Sequence, residues 1–375
     1  MVYYLDNAAT TKPYQEVVDT VSSVMLKYYG NPSSTHKLGE DARKIIENVR
    51  YQIAEDINCD PSEIIFTSGA AEANSLAYTA KVGREIISTN LEHKSIELLN
   101  KFSNCFIDND KLGNIDLSDL ERKLKLLKSI RLKSFVSIHG ANSEIGVIQD
   151  IKAISDLVHK YDGILHIDAT QLYAERRINV KKLGIDLMSV SAQKFGGGRG
   201  AGFLYCKSGT RMHAIIAGTQ ERGMRGGTYN TAAIAGMGKA LEITRKNQNA
   251  TNHTVRVIRN KLADKLLSIN GVFLNGPKLS SNRLSNNLSL RIDGIKANDL
   301  VTMASMYDIY ISAGSACSSG EAIPSSALKA IGLTDEEALS TIRITVGHDL
   351  SNEDIDNIAT ILSTLIKQLR KDYKK

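Results

Sequence analysis

The sequence predicts an α/β protein: a mostly parallel sheet covered by helices on both faces, followed by a smaller α+β unit. Up to about residue 250, short runs of branched apolar residues alternate with amphipathic segments of helical period. Beyond it the alternation gives way to a long basic-amphipathic stretch, further strands and a closing helix. The 375 residues, 42% of them apolar, are enough for a large core and two to three domains, or one large domain with an appendage. Disordered and fibrous classes are excluded.

Each element has its own signal. In Asp41–Ile57, Ile45, Ile46, Val49, Ile53 and Ile57 fall at three- and four-residue steps, the period of a half-buried helix. Strands are expected at Glu63–Thr67, Glu85–Ser88, Phe135–His139, Ile164–Asp168, Leu187–Ser191 and Gly202–Cys206, with helices such as Glu72–Val82 and Ile151–Tyr161 between them. In such a sheet, sites lie at strand C-terminal ends. The second unit reads as a helix over Val255–Leu267, strands near Asn287–Ile292, Ile309–Ser312 and Thr341–Val346, and a helix from Asn352 onward. The expected division is 13–250 for the large domain and 1–12 with 251–375 for the small one. No glycine- or proline-rich linker marks the junction.

Charge and cysteine content narrow the function. Lys and Arg number 47 against 41 Asp and Glu, and a formal charge of +6 is too mild to point to nucleic acid. The four cysteines lack CxxC spacing, which argues against a zinc knuckle and a disulfide framework and favours a reducing, cytoplasmic setting. Asp6 interrupts any apolar leader, and no stretch approaches the ~18 apolar residues of a membrane span.

Four clusters carry candidate chemistry. Phe66–Asn74 is a strand breaking at Ser68-Gly69 into a helix, a place for a phosphate or simply a capped turn. His166–Gln171 ends a strand in Asp168, which could pair with a protonated ring nitrogen or cap the next turn. Ser189–Gly202 sets Lys194 after a small-residue strand and before five glycines, the setting of an imine-forming lysine or of a surface lysine in a glycine loop. Gly314–Gly320 surrounds Cys317 with small hydroxyl residues, which reads as a reactive thiol. Cys59 and Cys105 read as ordinary helix-end or loop residues, and Cys206 as a buried strand residue.

In order along the chain, these clusters resemble the class V aminotransferase family of pyridoxal-phosphate enzymes, and within it the NifS/IscS-like cysteine desulfurases. The resemblance extends to Tyr4–Thr11, Gly30–Ser34, Glu92–Lys94, Glu144–Asp150, Glu221–Thr228 and Ser340–Ile344. It implies a pyridoxal-phosphate-dependent transferase of fold type I, with a mostly parallel seven-stranded sheet domain and a smaller α+β domain, acting as a homodimer. It also implies the cofactor pyridoxal 5'-phosphate and the substrate L-cysteine. Lys194 would form the imine, Asp168 would pair with the pyridine nitrogen, and His93 would stack on the ring and shuttle protons. Gln171 would reach the phenolic oxygen. Ser191, Gln193, the backbone at Ala70 and Ala71, and Thr228 of a second subunit would hold the phosphate. Arg343 would clamp the substrate carboxylate, Asn142 and Ser143 would also bind the substrate, and Ser143 would stand at the cofactor where an amide usually reaches the phenolic oxygen. Cys317 would take the sulfur as a persulfide and pass it to an acceptor protein for iron–sulfur assembly, tRNA thiolation or another thio-cofactor, with no direct nucleic-acid or membrane contact.

Three positions depart from the family pattern: Ala71 where a threonine is usual, Ser143 in place of an asparagine, and Gln193 in place of a histidine. Each lost hydrogen bond to a charged group costs ~1.5–3 kcal/mol unless replaced. The alternatives are another class V enzyme, an aminotransferase or a lyase acting on selenocysteine or cysteine sulfinate, and a non-catalytic scaffold for a sulfur carrier.

Overall fold

The computed structural model describes residues 1–373 except 102, 104, 315, 319 and 320, and leaves the side chains of 315–322 undescribed. Its central sheet runs in the order Ile64–Thr67, Gly202–Cys206, Leu187–Ser191, Ile164–Asp168, Lys133–His139, Arg84–Ile87. The last four are mutually parallel, and Gly202–Cys206 is antiparallel to both its neighbours. Mostly parallel order is therefore present, but the expected seventh strand is not found among the described residues. Next to Arg84–Ile87, the described residues form the isolated bridge Ser88–Phe106, followed by Asn109–Ile115. After Phe106 the chain turns at Asp110, whose side chain accepts from the backbone N–H of Leu112 and Asn114 in an Asx turn.

Buried parallel strands must be apolar on both faces. Phe135, Val136 and Ile138 in one strand and Leu165 and Ile167 in the next have no exposed surface. The helix Lys37–Ile57 covers one face with Ala42, Ile46, Val49, Ile53 and Ile57, the stripe its periodicity predicts. Its end is set by Asn58, which adopts the left-handed conformation of a C-cap.

The two largest of four apolar cores among the described residues divide the chain. One gathers residues from Val17 to Leu284 around the large sheet, and the other joins Tyr3 and Leu5 to residues from Val255 to Leu369. The second core lies against a four-stranded antiparallel sheet in the order Ser312–Ala313, Thr341–Thr345, Asn287–Ile292, Val272–Leu274, flanked by the helix Asn352–Asp372. The helix expected at Val255–Leu267 begins far earlier, at Thr231, and runs 37 residues unbroken to Leu267. Its first half buries Ile234, Met237 and Leu241 in one core, and its second half buries Ile258, Leu262 and Leu266 in the other. A polar middle, Arg245 to His253, hid this continuity in the sequence. Among the described residues, no helix is long and apolar enough to cross a membrane.

Candidate active site

The strand Ile164–Asp168 ends in a buried carboxylate. Asp168 Oδ1 accepts from the backbone N–H of Thr170 at 3.0 Å, and Oδ2 accepts from Asn74 Nδ2 at 2.9 Å. Next to it in the sheet, Leu187–Ser191 delivers Ser191 and then, through one short turn, Gln193 and Lys194.

Lys194 Nζ donates to the backbone carbonyls of Ala8 and Ala9, at 2.7 and 2.5 Å. Burial, helped by the positive charge of Arg343, pushes its amine down to about 8, against opposing pulls from Asp168 and Asp6. Gln171 Nε2 donates to the same Ala8 carbonyl at 3.0 Å. Lys194 and Gln171 also line a cavity of about 130 Å³ with Asn7, Thr11, Asn252 and His348.

Arg343, on the strand Thr341–Thr345, pairs with Asp6 at 2.9 Å, and its Nε is buried without a partner among the described residues. It stands directly opposite Ser312, in the short strand from which the Cys317 loop departs. The backbone of Ala316–Ser318 pairs with Glu321–Ile323, while the Cys317 side chain lies outside the described residues.

The turn at Ser68-Gly69 opens the helix Ala70–Ala77, as the sequence suggests. Gly202 is needed beneath it, because a Cβ there would lie 2.7 Å from Gly69 Cα and 2.5 Å from the Val190 carbonyl. The segment 221–228 is docked onto this turn from the same chain. Glu221, almost fully buried, binds Arg50 through both oxygens and accepts from the Phe66 N–H. Arg225 pairs with Glu72, whose other oxygen accepts from the Ser68 N–H. Thr228 is exposed.

His93 is exposed and caps the helix turn Lys94–Glu97; its Nδ1 accepts from the Ser95 N–H and lies 2.8 Å from Ser95 Oγ. Asn142 is buried, with Nδ2 donating to the Leu91 carbonyl and Oδ1 accepting from the N–H groups of Glu144 and Ile145, so it braces its own turn. The carbonyl of Ser143 accepts from Asn287, and the carbonyl of Gln193 accepts twice from Thr11.

Four contributors, Asp6, Ala8, Ala9 and Asn74, had no role assigned from the sequence. Asp6, Ala8 and Ala9 hold Arg343, Lys194 and Gln171 together; their motif was visible in Tyr4–Thr11, but its partners lie far along the chain. Asn74 closed the first cluster without any role. The remaining cysteines differ slightly from expectation: Cys206 is only partly buried, like Cys59 and Cys105. Burial raises all three thiols, Cys59 and Cys206 up to about 12, so they are protonated near neutral pH.

A buried carboxylate, a desolvated amine and a helix-opening turn with adjacent hydroxyls suit pyridoxal phosphate, whose ring nitrogen, aldehyde and phosphate need these three partners. Thr170 Oγ1, two positions after Asp168 and buried without a partner among the described residues, adds an unsatisfied group at the same strand end. The fold and donor set thus define an α/β protein of the pyridoxal-phosphate type.

Comparison with known proteins gives the family. The aminotransferase class-V family matches residues 3–358, and the chain belongs to it. It is similar to "Cysteine desulfurase IscS 1" of Archaeoglobus fulgidus, 37% identical over 98% of this chain and 97% of the relative. A solved NifS-like protein from Rickettsia africae superposes with a TM-score of 0.89 at 31% identity, covering 98% of this chain and 100% of that one. A structure of SspA in complex with cysteine gives a TM-score of 0.78 at 27% identity over 92% of this chain and 99% of that one.

Proposed function

We propose that this protein is a pyridoxal-phosphate-dependent cysteine desulfurase, converting L-cysteine to L-alanine with the sulfur held on Cys317. One observation carries the reading: Arg343, the candidate carboxylate clamp, lies directly across the sheet from the strand that launches the Cys317 loop. Its partner Asp6 belongs to the segment that holds Lys194.

The chain's own groups divide the work. Arg343 exchanges Asp6 for the substrate carboxylate, one ion pair for another, and so orients the amino acid. Lys194, whose amine is pushed down to about 8 and so releases its proton far more readily than an ordinary lysine, takes the proton from the substrate Cα and later returns one. Pyridoxal phosphate, when bound, supplies an electron sink for negative charge at that carbon. Asp168 would hold its ring nitrogen, Gln171 its phenolic oxygen, and Ser191, Gln193 and the turn at Ala70-Ala71 its phosphate, with Thr228 of a second copy completing that site. His93 offers Nε2 for proton exchange, because Nδ1 is engaged by Ser95. The Cys317 thiolate attacks the substrate sulfur. An S–S bond forms, the Cβ–S bond breaks with its electron pair to carbon, and a proton completes alanine, so no oxidant is required.

The same reading divides the chain into a cofactor-binding unit, 13–250, and a unit made of 1–12 and 251–375 that carries the thiol. The two largest cores support it. A homodimer is supported by the exposed Met25, Leu26 and Tyr29 at the end of the helix Gln15–Lys27. A sulfur-acceptor protein in the cytoplasm, serving iron–sulfur assembly or another thio-cofactor route, would receive the persulfide.

The test is to supply purified protein with pyridoxal phosphate and L-cysteine and to measure alanine and sulfide together. Stoichiometric alanine is expected, and its loss in Cys317→Ala. Alanine release unchanged in that variant refutes the thiol's role. A protein that stays colourless with added cofactor supports the scaffold alternative instead.

A further inference from the structure

We propose that Asn74 is a positioning residue that joins Asp168 and His93 into one hydrogen-bonded unit. The inference rests on the function proposed above and concerns how that site is held.

Asn74 has no exposed surface and lies on the helix Ala70–Ala77. Its Nδ2 carries two protons and lies 2.9 Å from Asp168 Oδ2 and 3.0 Å from Ser95 Oγ, so the amide donates one proton to each. Ser95 Oγ in turn lies 2.8 Å from His93 Nδ1. Directions along the chain follow from the donors. The Ser95 backbone N–H also donates to Nδ1, which must therefore be unprotonated, and the Ser95 hydroxyl, already accepting from Asn74, gives its own proton to the ring. His93 is thereby held as the Nε2–H tautomer, with Nε2 the nitrogen left for a ligand. Three elements meet in this unit: the end of a sheet strand, the helix that opens at the Ser68-Gly69 turn, and the turn that carries His93.

The amide is kept at a cost. Asn74 Oδ1 is buried and has no hydrogen-bond partner among the described residues, a burden that an apolar side chain would avoid. A purely packing role does not call for that group. A two-donor fork does: aspartate would set a carboxylate against Asp168, and serine has only one proton to give.

The experiment uses the full chain with two readouts. The first is pyridoxal-phosphate affinity, by absorbance titration. The second is the ring ¹⁵N resonance of His93 Nδ1 in cofactor-free protein, assigned by its disappearance in His93→Gln. Asn74→Ala is expected to weaken cofactor binding about tenfold or more, as loss of a bond to a charged group does, and to move the Nδ1 resonance. Ser95→Ala is expected to move that resonance in the same direction while leaving cofactor affinity within about threefold, because the bond to Asp168 survives. The proposal is overturned if Asn74→Ala leaves the resonance in place, or if Ser95→Ala weakens binding as much as Asn74→Ala. Asn74→Asp, close in shape, is judged by the same two readouts should the alanine variant not fold. Wild-type protein that takes up no pyridoxal phosphate would overturn the proposed function alone; the cofactor-free resonances still decide the Asn74 unit.

Discussion

In the imine-forming role proposed for it, Lys194 must lose a proton before it can attack an aldehyde, so its amine would control how fast cofactor-free protein captures pyridoxal phosphate. An amine at about 8 is roughly one-tenth neutral at pH 7, against about three parts in ten thousand for an ordinary lysine, a gain of about 300-fold in reactive form. The rate of covalent capture, followed by visible absorbance between about pH 6 and about pH 10, should rise with a midpoint near 8 and then level off. Arg343→Gln supplies the perturbation. It removes a positive neighbour that lowers the amine, and it frees Asp6, whose charge raises it, so both changes push the midpoint upward. Burial is the larger cause and survives the substitution, which limits the shift to about one pH unit. The cofactor's own ionisations are common to both proteins, so the difference between midpoints belongs to the lysine. A wild-type midpoint near that of free lysine, or an Arg343→Gln midpoint that stays put or falls, would refute the reasoning.

Three further expectations concern the supports of the site. Glu221→Gln leaves the buried Arg50 guanidinium without its main counter-charge and should cost about 3 kcal/mol in urea unfolding; less than about 1 kcal/mol would show that Glu47 suffices as partner. Gly202→Ala drives a methyl into the Gly69 backbone, so it should destabilise the fold by about 1–3 kcal/mol and weaken cofactor binding, whereas unchanged affinity would uncouple the turn from the phosphate. Burial raises the Glu144 carboxyl above its ordinary 4.5, so the folded state holds that proton longer than the unfolded chain. Its contribution to stability is therefore complete below that value and is lost as pH rises through the raised one. Glu144→Gln should remove this slope, and unfolding midpoints that run parallel in both proteins across the acid range would contradict it.

Strand and helix positions in the large sheet were legible because short apolar runs alternate with segments of helical period, and Ile164–Asp168, Leu187–Ser191 and Gly202–Cys206 fall on those runs. What was not legible depended on contacts between distant residues. Nothing in Arg245–His253 says that two amphipathic halves share one helix, because a polar stretch reads alike in a linker and on a solvated helix face. The site residues were found through resemblance to a family, yet their partners were not. Asp6 and Arg343 are 337 positions apart, and Asn74 and Asp168 are 94 apart. No local pattern encodes such pairs.

The three departures from the family pattern take on a physical order once these partners are known. Lys194, Asp168 and Arg343, which match the family, are each held through the side chain, by Ala8 and Ala9, by Asn74, and by Asp6. The departing positions show a different kind of restraint. Gln193 and Ser143 are tied through their carbonyls, to Thr11 and Asn287, so the course of the backbone there does not depend on which side chain is present. Ala71 is exposed on the first turn of its helix, and its substitution removes a hydroxyl but no backbone N–H. A phosphate held at a helix N-terminus draws on those N–H groups and on the helix dipole, both of which survive. Affinity can therefore decline by the ~1.5–3 kcal/mol of a single lost bond, while the side-chain restraints on Lys194, Asp168 and Arg343 are untouched.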